Sequence, residues 1–150
     1  MARPLKLLAM DPDDLIVVSA HVQDSVLRSC EIEYDPTKRL LFLQINRFAW
    51  EAPGARKRLF KTYERRRSVL HFAQVVSIRS NGVDRTDETQ VKSVLSIEFH
   101  PNDNEDDPGG TIQINFAGGG ALQLTVECIE AQLTDTGAAW SASGKPKHNQ

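Results

Sequence analysis

The chain has 150 residues, 40% hydrophobic and 25% charged, a balance that fits one globular domain with a core and excludes wholesale disorder. Its two cysteines, Cys30 and Cys128, stand 98 positions apart with no CxxC pair, which excludes a disulfide scaffold and leaves zinc or dithiol chemistry unsupported. Net charge is −2, but residues 56–67, "RKRLFKTYERRR", hold seven Arg or Lys against one Glu; that local +6 leaves −8 elsewhere, part of it in "HPNDNEDDPGG".

The opening "MARPLKLLAMDPDD" has a short apolar patch but not the h-region of a signal peptide. No run approaches the about 18 to 20 apolar residues of a membrane helix, so a soluble, cytoplasmic protein is the expectation. The first element is a helix. Asp11 stands at the N-cap, Pro12 at the first helical position, and Asp13 and Asp14 in the first turn, where their charge meets the positive end of the dipole. Leu15, Val18, Val22 and Val26 recur at steps of three and four, which predicts an amphipathic helix of about four turns.

The period then changes to two. "CEIEYDPTKRLLFLQINRFAWE" predicts a hairpin, with Asp and Pro in its turn and Leu41, Leu43 and Ile45 alternating with Phe42, Gln44 and Asn46. Pro53 and Gly54 end that strand. "SVLHFAQVVSIRS" predicts one strand, "VKSVLSIEFHP" another with Val94, Ser96 and Glu98 opposite Leu95, Ile97 and Phe99, and "GTIQINF" and "ALQLTVECIEAQL" two more. No long helical stripe lies between strands after residue 30, so parallel βαβ units are not expected. The polar tail "SASGKPKHNQ" falls outside the domain, which spans 1–140 with 141–150 as a loose end.

Gly118, Gly119 and Gly120 are followed by Leu122, Leu124 and Val126 at period two. A phosphate loop needs a helix there, whose terminal amides hold the anion, so the glycines predict a β-hairpin turn instead. Cys128 continues the inward set of that strand, which favours a small core residue over a reactive thiol. The parity then flips to Ile129, Ala131 and Leu133, predicting a bulge or sharp bend near Cys128 and Ile129. Phe48 and Trp50 share a parity and are expected to close a core. His21, His71, His100 and His148 show no metal-ligand spacing, Glu127 and Glu130 would face opposite sides of a strand, and GxSxG is absent. No cofactor or metal is expected.

The basic run is the most functional-looking local feature. Arg56, Lys57, Arg58, Lys61, Arg65, Arg66 and Arg67 surround Phe60 and Tyr63, a mixture able to contact phosphates and stack on bases. The plainer reading is a solvated connector between strands. The sequence pI near 6.1 argues against a dedicated nucleic-acid binder, whose domain pI is usually above about 9.

"LKLLAMDPDDL", "SAHVQDSV", "INRFAWE", "LHFAQVVSIRS" and "FAGGGALQLTVECIEAQLTDTGAAW", ending at Trp140, together resemble a family of short bacterial proteins, chiefly alphaproteobacterial, defined only as a domain of unknown function. The resemblance spans roughly residues 4–140. It implies a bacterial, cytoplasmic, single-domain protein and carries over no catalytic residue.

The expected fold is α+β: one N-terminal amphipathic helix on a strongly bent, mainly antiparallel sheet of about six or seven strands, or a small barrel of the pleckstrin-homology type without that fold's C-terminal helix. The expected function is a non-enzymatic binding or adaptor module for a protein or polyanionic partner, contacted through Arg56, Lys57, Arg58, Lys61, Tyr63, Arg65, Arg66 and Arg67. Alternatives are nucleic-acid binding by the same segment and a small enzyme with a site assembled from Arg47, His71, Glu127 and Cys128.

Overall fold

The computed structural model describes residues 4–48, 64–136 and 140–141. Its elements are β1 (Lys6–Ala9), α1 (Pro12–Val22), β2 (Val26–Arg28), a 3-10 turn (Ser29–Glu31), β3 (Ile32–Asp35), β4 (Leu40–Phe48), β5 (Glu64–Phe72), β6 (Val75–Asn81), β7 (Val91–Pro101), β8 (Gly110–Phe116), β9 (Ala121–Val126), β10 (Ala131–Asp135) and β11 (Trp140–Ser141). Every described strand pairing is antiparallel.

The helix starts as its sequence dictates. The Asp11 carboxylate accepts from Asp14 N at 2.8 Å, and Leu15, Val18 and Val22 are buried. It stops at Val22, about three turns, because Asp24 adopts φ 65° and turns the chain into β2. Val26, the expected fourth member of the stripe, begins that strand. Helix and sheet are tied by a polar contact, Ile97 N donating to Ser19 Oγ at 2.9 Å.

The strands are ordered β1-β10-β5-β4-β2-β7-β8-β9-β6, with β3 on β4 and β11 on β5. This makes eleven strands among the described residues rather than six or seven, for local physical reasons. The run "SVLHFAQVVSIRS" is cut into β5 and β6 at Ala73–Gln74, where Gln74 takes φ 59°. "ALQLTVECIEAQL" is cut into β9 and β10 by a bend at 127–130. The apolar "KLLA", "VLR" and "WS" add β1, β2 and β11, each too short for periodicity to reveal.

The two bends face each other. Ala73 N donates to Glu130 O at 2.8 Å and Glu127 N to Gln74 O at 3.1 Å, so β5–β6 and β10–β9 turn the corner as one paired ribbon. The sheet thus folds over on itself around a single core that includes Leu41, Leu43, Leu70, Phe72, Ile112, Ile114, Leu122, Leu124 and Leu133. It does not close: among the described residues β1 pairs only with β10 and β6 only with β9.

At the far end of β8 and β9 the glycine stretch is a hairpin turn, with Phe116 N donating to Gly120 O at 3.0 Å and Gly119 N to Phe116 O at 3.3 Å. Gly118, Gly119 and Gly120 have φ of 81°, 104° and 94°, a region closed to most L-residues. Cys128 lies in the 127–130 bend and is half-buried, while the flanking Val126 and Ile129 take the core positions.

Replacing Leu70, fully buried at the centre of the β4–β5–β10 layer, by Ala is expected to cost about 2–5 kcal/mol in urea unfolding through the cavity it leaves. Gly119→Ala meets no atom within 4 Å. Its expected loss of about 1–3 kcal/mol therefore comes from backbone strain alone.

Candidate functional site

The apolar alternation of three neighbouring strands ends on polar residues that still point inward. Leu41, Leu43 and Ile45 of β4 lead to Arg47; Leu70 and Phe72 of β5 share a face with Ser68 and Arg66; Ala131 and Leu133 of β10 lead to Asp135. These side chains meet in one cluster. Arg47 approaches Asp135 side-on, Nε to Oδ1 and Nη2 to Oδ2, both at 2.9 Å. Ser68 Oγ donates to Oδ1 at 2.6 Å and Leu5 N to Oδ2 at 2.7 Å. Each carboxylate oxygen therefore accepts two hydrogen bonds, filling the capacity of an ionised carboxylate. Arg66 Nη1 stands 3.9 Å from Oδ2, and the Arg47, Asp135 and Arg66 side chains are 0%, 1% and 4% exposed.

Burial opposes ionisation of Asp135, but the hydrogen bonds from Arg47, Ser68 and Leu5, with the Arg47 charge, outweigh it and hold the carboxyl below its ordinary range. The cluster ties β4, β5 and β10 to the segment entering β1, where Asp135 N also donates to Leu5 O at 2.9 Å. Sealed among strands, this is a brace.

The brace decides which way Arg65, Arg66 and Arg67 point. Of its candidate residues, Arg56, Lys57, Arg58, Lys61 and Tyr63 lie outside the described residues. Arg66 is turned inward, so its neighbours Arg65 and Arg67 must face the other side of the sheet. There Arg65 lies over the Phe48 ring, 4.0 Å to the centroid, and donates to Asn46 O at 3.4 Å. Partial burial lowers its pKa. Arg67 is exposed. Phe48, expected to close the core, is half-buried beneath Arg65 instead, and Trp50 lies outside the described residues.

Arg47, His71, Glu127 and Cys128 are not brought together. Arg47 is on the inner face, whereas His71 is on the outer face, stacked on Phe42 with centroids 4.8 Å apart and planes 7° apart. Desolvation lowers the His71 pKa, against the opposing charge of Glu130, and its buried Nε2 has no hydrogen-bond partner among the described residues. Glu127 pairs with exposed Arg39. Among the described residues no group of His, Cys, Asp and Glu is placed to hold a metal ion, and no helix is long and apolar enough to cross a membrane.

Asp135 and Ser68 were not singled out by sequence reasoning. The available signal was joint: Arg47, Arg66 and Asp135 each extend an inward apolar set, and charges buried there require one another.

One helix laid on a bent antiparallel sheet, braced by a sealed arginine–aspartate cluster, defines an α+β domain with its polar surfaces on the outer sheet faces. The chain belongs to the family described as "Protein of unknown function (DUF2948)", whose model matches residues 5–148. Comparison with curated proteins and with solved structures gives no match.

Asp135→Asn leaves Arg47 buried against a neutral partner, with an expected loss of about 3–5 kcal/mol. Because the folded pKa is depressed, the stability contributed by Asp135 is present above the ordinary carboxylate value of 3.8 and is lost as pH falls through the lower folded value. Asp84 and Asp87, bonded by Thr86 and Thr89, and Asp107, bonded by Gly109 N–H and Asn102, are also held low and share that acid limb. The difference between wild type and Asp135→Asn in urea melts across that range isolates the Asp135 share, and is expected to shrink as pH falls.

Proposed function

We propose that this protein is a non-enzymatic binding module that engages an acidic protein or another polyanion through its basic run. The supporting observation is the alternation imposed by the brace. With Arg66 locked inward, Arg65 and Arg67 stand on one outer face about 6–7 Å apart. Neither has a carboxylate partner among the described residues. Phe48 supports Arg65 from below, which holds a long side chain in one place and lowers the entropy lost on binding. Arg56, Lys57, Arg58, Lys61 and Tyr63 extend the same run in sequence and join the proposed contact. The acidic pI favours a protein partner over nucleic acid, since the rest of the chain would repel a long phosphate backbone. A bacterial, cytoplasmic setting belongs to the same proposal and rests on sequence features alone.

The test is fluorescence anisotropy with a labelled polyglutamate peptide and a labelled single-stranded oligonucleotide. Arg65→Gln combined with Arg67→Gln, leaving Arg66 in place, is expected to weaken binding of the acidic peptide about three- to tenfold. Affinity should also fall between about 50 and 200 mM salt, and each lost phosphate contact should reduce the oligonucleotide's salt slope by about 1. Tighter binding of the oligonucleotide would move the assignment to nucleic acid. No binding of either probe, or binding indifferent to both salt and substitution, overturns the proposal.

A further inference from the structure

The face of the β6–β9–β8–β7 layer turned away from the core is polar almost throughout. Across the strands, Ser77 sits beside Thr125 and Thr111, and Arg79 beside Gln123, Gln113 and Glu98. Strict alternation would not have produced this face. In β6, Val75 is fully buried, and residues 77 and 79 would follow it inward. The pairing with β9 shifts between Val75 and Ser77, so Val76 is the extra residue of a bulge, Ile78 packs against the core, and Ser77 and Arg79 turn outward. In β7 the shift between Val94 and Ser96 does the same at Leu95. Val94 and Ile97 are therefore both buried, contrary to the simple alternation expected, and Ser96 and Glu98 share the outer face.

Within this face lies a groove of about 410 Å³ lined by Ser77, Ile78, Arg79, Thr111, Gln123 and Thr125. Its volume is that of a small-molecule site, which spans about 300–1,000 Å³. The lining presents three hydroxyls, an amide and a guanidinium, and no carboxylate. Arg79 takes part in none of the ion pairs among the described residues. The acid on its row, Glu98, is three strand spacings away, about 14 Å. Glu98 is also engaged, accepting from Asn115 Nδ2 at 3.1 Å and contacting His100 Nε2 at 3.1 Å.

A row of amides orients the groove wall. Gln123 Nε2 donates to Gln113 Oε1 at 3.1 Å, Gln113 Nε2 to Asn115 Oδ1 at 2.7 Å, and Asn115 Nδ2 to Ser96 Oγ at 3.0 Å. With its donor directed away along that row, Gln123 leaves its carbonyl oxygen to accept from whatever enters. We infer that this groove binds a small hydroxylated anion, its carboxylate or phosphate held by the Arg79 guanidinium and its hydroxyls by Thr111, Thr125 and the Gln123 carbonyl. A planar guanidinium offers paired donors to either anion. A nucleic-acid strand is disfavoured here, because the lining has one cation and no aromatic ring on which a base could stack. The site shares no residue with the basic run and stands independently of it.

Two-dimensional amide NMR of the full chain tests this with gluconate, glycerol phosphate and neutral glucose as probes. Saturable shifts confined to the amides around residues 77–79, 111, 123 and 125 are expected with at least one of the anions and not with glucose. Gluconate binding tighter identifies a carboxylate ligand, and glycerol phosphate binding tighter a phosphate. Arg79→Gln is expected to raise the dissociation constant about tenfold or more, consistent with loss of a charge-assisted pair, and Arg79→Lys to raise it less. Arg79 is exposed and makes no hydrogen bond among the described residues, so neither variant should alter the folded spectrum elsewhere. The Arg65→Gln, Arg67→Gln double variant should bind these probes unchanged. Absence of saturable shifts with both anions, equal binding of glucose, or unchanged affinity in Arg79→Gln overturns the inference.

Discussion

A fully bonded carboxylate in a closed interior is the constraint on which the rest of this molecule depends. Asp135 accepts from two strands and from the segment entering a third, so its hydrogen bonds are satisfied only with those three segments in place. Such a cluster is a poor source of net stability, because removing charges from water costs nearly as much as their attraction returns. Its value is in specificity. A slip of one residue in β4, β5 or β10 would carry Arg47, Arg66 or Asp135 to the opposite face and strand the others in the core. The apolar stripes alone would penalise such a slip less sharply. The same register requirement sets the outward positions of Arg65 and Arg67, so an interior interaction determines which charges the surface displays.

The second organising device is the corner. One antiparallel ribbon, β5–β6 against β10–β9, bends once at matched positions and keeps its hydrogen bonds through the turn. Bending lets two layers share their inner faces without a connecting loop between them. The bulges at Val76 and Leu95 belong to the same solution, since each restores core-facing side chains on a strand that has turned. Their by-product is the outer polar face with Arg79.

Periodicity made much of this legible. The Asp11–Pro12 start and the Leu15, Val18, Val22 stripe marked the helix, the DPTK and glycine turns marked two hairpins, and the parity flip between Cys128 and Ile129 marked the bend there. What stayed hidden had definite causes. Gln74 at φ 59° breaks a run rich in β-branched and apolar residues, and nothing in a glutamine announces a left-handed backbone. Strands of two to four residues fall below the length at which alternation is a signal. Phe48 and Trp50 drew attention as an aromatic pair, yet the inward position beside them belonged to Arg47, because a buried charge is legible only when its partner 88 positions away is known to be its neighbour. The outward position of Arg79 is not legible in the sequence, because the bulge that turns it outward is a property of pairing.

The brace also has a consequence in time. Leu5 and Asp135 are joined across a separation of 130 residues, so the contact exists only after every element from β1 to β10 has been made. During synthesis Arg47 and Arg66 emerge long before the carboxylate that seats them, and must remain hydrated while they wait. Long-range pairings of this kind slow folding, since loop closure is opposed by entropy before any contact rewards it. A fold organised around β10 in this way cannot complete its brace while only β1 to β9 have been made. The brace closes only when β10 returns to the segment entering β1.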